Sequence, residues 1–221
     1  MKRFLTMTCL LLCATAVGVQ AKGNGKVKKT KTTKLGIFVE GASETYSLSG
    51  WDSKSGMSIG AYFGASALMK PRKPENHWGW GAVIGIKYFG GSLERKEKHS
   101  YSTRLKNDVT SVGLFDMKGD IKYFFNPLST RGKWYIKGEV NVCPLQINVP
   151  VEKESSTYSQ NTYIDSGAMG MSMSIGAHFG YEAKHWGASV GAHYGAMTTY
   201  SSDNSSVPTF CGFGASLQYF F

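Results

Sequence analysis

The chain has 221 residues, with 25 Lys and Arg against 15 Asp and Glu, but its basic excess is concentrated at the start. Lys2, Arg3 and six lysines at positions 22, 26, 28, 29, 31 and 34 precede residue 35, and the rest carries 17 basic against 15 acidic residues. A near-neutral folded part excludes a basic nucleic-acid-binding face, and with only Cys143 and Cys211 beyond the first 21 residues the chain is no disulfide-stapled miniprotein.

In chain order, Lys2 and Arg3 lead an apolar run from Phe4 to Val19, and Val19-Gln20-Ala21 offers small residues where a signal peptidase reads. Residues 1–21 are therefore expected to be a secretory signal, cleaved near Ala21. The run is shorter than the ~20 residues a membrane helix needs. Cys9 and Cys13 follow Thr8 and Leu12 rather than a small residue, so no lipoprotein signal is expected. Residues 22–34, KGNGKVKKTKTTK, read as a basic, flexible, solvated tail. Residues 35–221 are the size of one ordinary domain.

That domain alternates with a period of two in eight segments, at about 35–48, 55–69, 78–91, 108–125, 134–149, 168–182, 185–200 and 209–221, bounded by Gly, Pro, Asn and charged clusters. These are strand signals. A nearly identical heptad occurs in three of them: SIGAYFG at 58–64, SIGAHFG at 174–180 and SVGAHYG at 189–195. Each segment has an apolar face and a small or polar one. Met57, Ile59, Ala61 and Phe63 stand opposite Ser58, Gly60, Tyr62 and Gly64, and Met173, Ile175, Ala177 and Phe179 opposite Ser174, Gly176, His178 and Gly180. A soluble sheet sets long charged side chains opposite its apolar face. Small residues suit a crowded concave interior instead, which points the apolar face toward lipid. The aromatics Trp78, Trp80, Tyr88, Tyr123, Trp134, Tyr135, Trp186, Tyr200 and Tyr219 lie near segment ends, as expected of two interfacial girdles. The fold expected is all-β, an eight-stranded antiparallel up-and-down transmembrane β-barrel with a side-chain-filled lumen. A soluble β-sandwich binding protein is the alternative.

The fourth and fifth segments show what fills such a lumen. With Phe115, Met117, Ile121 and Tyr123 toward lipid, Asp116, Lys118, Asp120 and Lys122 turn inward, as do Lys137, Glu139 and Asn141. A hairpin register pairing Asp120 with Lys137 and Lys118 with Glu139 would set opposite charges side by side, and confined charges favour such pairing. In the fifth segment the apolar parity shifts at Pro144, which predicts a bulge. The same parity puts Cys143 inward and Cys211 outward, so no disulfide is expected.

Short connections at about 70–77, 126–133 and 183–184 alternate with those at 49–54, 92–107, 150–167 and 201–208, so the two longest fall at one end, the extracellular end if both termini are periplasmic. The last segment, TFCGFGASLQYFF, places Phe213, Leu217, Tyr219 and Phe221 on one face. It resembles the C-terminal assembly signal of Gram-negative outer-membrane barrels, and with the signal sequence and eight strands the chain resembles the small barrel family that includes OmpX and the membrane domain of OmpA. That resemblance implies the cell outer membrane, the barrel-assembly machinery as a partner, and outer-membrane lipid and lipopolysaccharide as surroundings. A monomer is expected.

Some barrels of this size are lipid A or phospholipid hydrolases, which need a Ser, His and acid in contact. The candidates are Ser174, Ser189, His178, His193 and Glu182, but both imidazoles lie on the inner face, away from lipid. No catalytic residue, cofactor or metal site is expected, since the His residues are single and the Cys residues distant. The expectation is a non-enzymatic barrel with a structural or surface-interaction role through loops 92–107 and 150–167.

Overall fold

The computed structural model describes residues 33–48, 54–69, 75–96, 104–153, 163–200 and 208–221. The expected signal sequence, residues 22–32 of the tail and the tips of the longer loops lie outside them. Each alternating segment forms a strand: β1 (Thr33–Ser47), β2 (Lys54–Leu68), β3 (Trp78–Lys96), β4 (Arg104–Phe124), β5 (Lys133–Lys153), β6 (Tyr163–Glu182), β7 (Trp186–Thr199) and β8 (Thr209–Phe220). Every strand runs antiparallel to its chain neighbours, and β8 pairs with β1 from Gly36↔Phe220 to Ser47↔Thr209. Closure leaves no sheet edge, which a bilayer demands because it offers unpaired backbone groups no partner. The structure is one closed barrel, and the two-layer sandwich alternative is overturned.

The two faces have opposite chemistry. Ile37, Ile86, Ile121, Ile175, Val190 and Leu217 are exposed on the outside, while Glu44, Asp116 and Lys122 are at most 1% exposed on the inside. In water an exposed apolar belt around the whole molecule would far exceed the patches that soluble monomers carry; in lipid it is the solvated surface. The repeated heptad follows from the same geometry. Its Ser, first Gly, Tyr or His, and second Gly all face the interior, where the glycines leave room for neighbouring side chains. A Cβ on Gly180 would stand 2.5 Å from Tyr135 Cζ and 2.7 Å from the Ala188 carbonyl.

Four details differ from the sequence expectations. β1 starts at Thr33, and Lys34 belongs to the barrel rather than the tail. Tyr135 is no girdle residue: it lies between the outward Trp134 and Ile136 and is fully buried. The β4–β5 hairpin pairs Asp120 with Glu139, Lys122 with Lys137 and Lys118 with Asn141, two residues from the expected register. The turn sets this register: Phe125 N–H donates to the Trp134 carbonyl at 2.9 Å and Trp134 N–H to Asn126 Oδ1 at 2.7 Å. Finally, β3 to β6 run four to five residues further into the loops than alternation alone suggests, because ladder bonds persist above the bilayer where no apolar face is required.

The irregularity at Pro144 is present. The β5–β6 register shifts between Cys143 and Gln146, and the β4–β5 ladder skips from Leu114↔Leu145 to Met117↔Val142. Pro144 brings no N–H to either ladder, and Phe115, in the gap across from it, takes φ 58°. Cys143 is buried, Cys211 is exposed, and both are free.

Closure and interior fit generate two tests. Unheated protein folded in detergent should migrate differently from boiled protein on a denaturing gel and show β-type circular dichroism; equal migration would count against the closed barrel. Gly180→Leu, which forces a side chain into Tyr135 and the Ala188 carbonyl, should lower stability by about 1–3 kcal/mol in urea titration.

Candidate functional site

The interior is the densest gathering of polar groups in the molecule, and it is layered along the barrel axis. Nearest the short turns, Phe38 packs edge-on against Phe220 (5.9 Å) and Phe124 against Tyr135 (5.8 Å). Lys122 Nζ donates to Ser66 Oγ (2.9 Å) and Glu182 Oε2 (3.1 Å) and lies over the Tyr135 ring. Lys34 joins from the first strand, donating to Glu182 Oε1 at 3.0 Å and the Ala183 carbonyl at 2.7 Å.

The middle layer is a ladder of charges drawn from β1, β3, β4 and β5, linking side chains on one wall and also reaching across the lumen. Lys118 bridges Glu40 and Glu139, and Lys137 pairs with Glu139. Lys87 lies 3.6 Å from both Glu40 and Glu44. The Tyr62 hydroxyl stands between Glu40 (2.9 Å) and Asp116 (2.8 Å), and Asn141 Nδ2 donates to Asp116. Above them Glu44 accepts from Ser58 Oγ at 2.6 Å and meets His193 Nε2 at 2.8 Å. Buried ions are tolerated only where partners and hydrogen bonds replace water, and here nearly every charge has both.

Toward the long loops the interior turns apolar. Tyr46, Leu48, Phe89, Val149, Met197 and Phe210 form one cluster, each at most 2% exposed. Phe89 meets Phe210 edge-on at 5.5 Å. Between the charges lies a cavity of about 20 Å³ lined by Glu40, Lys118, Glu139, Asn141 and His178, room for about one water. The described part of the lumen is filled by the side chains of these layers.

Asp116, Lys118, Asp120, Lys122, Lys137 and Glu139 all project inward, and the structure brings Lys118, Lys137 and Glu139 together. Lys122 reaches Glu182 instead. Asp120 stands across from Glu139, with its Oδ1 unpartnered among the described residues. Of the two opposite-charge pairs expected within the hairpin, Lys118 with Glu139 forms at 3.4 Å although the two are not directly opposed, and Asp120 with Lys137 is absent among the described residues; further pairs reach across the lumen, which is narrow enough in an eight-stranded barrel for facing walls to meet. Glu40, Glu44, Lys87 and the apolar cluster were not singled out from sequence, although the inward parity that selects Asp116 also selects all of them but Val149, which the parity after Pro144 puts outward and a second register shift between Ile147 and Val149 turns inward.

The hydrolase candidates do not assemble. Glu44 stands between Ser58 and His193, whereas nucleophilic catalysis needs the imidazole between serine and acid. Ser189 bonds to Ser216, and both ring nitrogens of His178 lack partners among the described residues. Phe213, Leu217, Tyr219 and Phe221 all face outward and are more than half exposed.

An all-antiparallel eight-stranded closed barrel, apolar outside and ion-paired inside, is a transmembrane β-barrel of the outer-membrane kind. No protein-family model and no curated protein matches the sequence. Among solved structures, the chain is similar to Neisserial surface protein A, with a TM-score of 0.38 and 12% identity over 85% of this chain and 97% of that one. It is also similar to Ail, the attachment invasion locus protein of Yersinia pestis, with a TM-score of 0.33 and 10% identity over 85% and 99%. For the N-terminal β-barrel domain of Pseudomonas aeruginosa OprF the values are 0.24, 13%, 81% and 96%.

The ladder ranks two substitutions. Lys118→Met takes the shared cation from between Glu40 and Glu139, leaving each with one remaining lysine (Lys87 and Lys137), and should cost about 2–3 kcal/mol, whereas Asp120→Asn, which breaks no ion pair among the described residues, should cost less than about 1 kcal/mol. Urea midpoints of the folded variants give the comparison, and equal losses would refute the ladder.

Proposed function

We propose that the protein is a non-enzymatic barrel of the Gram-negative outer membrane that holds two surface-interaction arms in place. The observation that carries this reading is the unequal strand length. β7 and β8 have 14 and 12 residues, close to what a tilted span requires, while β3 to β6 have 19 to 21. The excess of five to nine residues rises on the loop side, where the strands run past the alternating segments, by roughly 10–20 Å along the tilted strands.

The excess divides into two arms. The β4–β5 ladder ends at Val112↔Ile147, and Ser111 Oγ donates to the Ile147 and Asn148 carbonyls there, where Asn148 takes φ 66°. Above this point β3 pairs with β4 from Ser92↔Asp108 to Lys96↔Arg104, and β5 with β6 from Val151↔Asp165 to Lys153↔Tyr163. The first arm's sequence is net basic and the second's net acidic. These are the segments 92–107 and 150–167. A rigid scaffold with a filled lumen and long polar arms suits recognition at a cell surface better than transport.

In this reading the chain reaches its site after cleavage near Ala21, inserts as a monomer through the barrel-assembly machinery, which recognises Phe213, Leu217, Tyr219 and Phe221, and stands among phospholipid and lipopolysaccharide. Both termini are periplasmic and the arms are extracellular.

Replacing residues 97–103 and 154–162 by short Gly-Ser turns should preserve the heat-dependent gel shift while abolishing adhesion of producing cells to immobilised matrix proteins and polyanionic glycans. Adhesion undiminished by the replacement would sink the surface-interaction role.

A further inference from the structure

The turn end of the barrel carries cations that the interior does not neutralise. Arg131 and Lys133 close the β4–β5 turn, and Lys184 lies in the β6–β7 turn beside them. Lys133 sits across the ladder from Glu182, and the Tyr181 hydroxyl donates to the Arg131 carbonyl at 3.3 Å. Lys34 adds a fourth cation, bonded to the carbonyl of Ala183 next to Lys184. The carboxylate at this corner, Glu182, is buried and already held by Lys34 at 3.0 Å and Lys122 at 3.1 Å. Among the described residues, Arg131 and Lys184 have no carboxylate within 4.0 Å and are exposed, whereas the Lys133 ammonium turns inward over the ring of the buried Phe124 at 5.6 Å.

A second feature fixes the depth of these charges. Trp134 stacks on Phe179 at 5.3 Å, and Tyr181 contacts both Trp134 (4.9 Å) and Trp186 (5.4 Å). Trp134 and Trp186 are about half exposed on the lipid side. Amphipathic rings of this kind settle at the headgroup level. Lys133 is adjacent to Trp134 in the chain and Lys184 two residues before Trp186, so the cations stand just beyond the rings, at the depth of lipid phosphates.

We propose that this corner is a binding site for an anionic phospholipid, with its phosphodiester against Arg131 and Lys184 and its acyl chains along the exposed Ile136, Phe179 and Val190. An anionic headgroup is favoured over a zwitterionic one because the latter brings its own ammonium against two unneutralised cations. The proposal rests on the membrane-spanning reading and is independent of what the arms bind.

The test uses the mature protein in vesicles of phosphatidylcholine containing a minority of either brominated phosphatidylglycerol or brominated phosphatidylcholine, with quenching of tryptophan fluorescence as the readout. Brominated phosphatidylglycerol should be enriched at the protein by about fivefold or more, the contribution of a single cation at an anionic surface. The preference should collapse in about 0.5 M salt, where screening shortens to a few ångströms, and in the Arg131→Gln, Lys184→Gln variant. Equal quenching by the two lipids, or a preference that survives in the double variant, overturns the site. Competition by inorganic phosphate at millimolar concentration would reassign it to a soluble anion and overturn the lipid. The heat-dependent gel shift on the same samples separates these outcomes from failure of the barrel itself.

Discussion

Pairing of β8 with β1 is the constraint on which everything else depends. Once Phe220 lies beside Gly36, the inner face of every strand shares one narrow interior, and each inward side chain must fit there and find a partner. The glycines of the repeated heptads supply the room: at Gly180 and Gly191 a Cβ would collide with Tyr135 and His178. The barrel is thus filled in its middle by large polar and aromatic residues resting on glycine, with an apolar cluster above them toward the long loops and an apolar belt on the lipid side.

Within that interior, the ion pairs gain from confinement and depend on completeness. A lysine such as Lys118 is held by carboxylates from β1 and β5, so the charge ladder ties together walls that share no backbone hydrogen bonds. Such pairs are a weak source of net stability, because desolvation offsets much of their attraction, but they penalise any register that would leave a charge alone. The apolar cluster around Phe89 and Phe210 closes the lumen on the loop side, and the ring contacts around Tyr135 close it on the turn side. Charge in the middle and hydrophobic closure at both ends make a rigid plug, and that rigidity allows the β3–β4 and β5–β6 arms to stand above the bilayer from fixed bases.

The two ends of the barrel have different chemistry. At the loop end the arms carry mixed charge and polar residues, while at the turn end a belt of Trp134, Tyr181, Trp186 and Tyr219 is followed by cations.

Much of this was legible in the sequence because the period of a strand is local. Alternation in Met57 to Gly64 or Met173 to Gly180 assigns each side chain to a face without knowledge of any partner strand, so the strand count, the inward charges and the irregularity at Pro144 all followed from it. What alternation leaves open is distance across the barrel. Lys34 meets Glu182, and His193 meets Glu44, over sequence separations of 148 and 149 residues, and only closure makes those pairs. The hairpin turn, rather than charge complementarity, set the β4–β5 register, since two backbone-anchored bonds at Asn126 and Phe125 fix it before Asp120 and Lys137 can choose. Tertiary structure likewise decided that Tyr135 fills the lumen, that the arms part above Val112, and that Arg131, Lys133 and Lys184 gather at one corner. Each of these depends on which strands stand side by side, and a periodicity read along one strand carries no information about its neighbours.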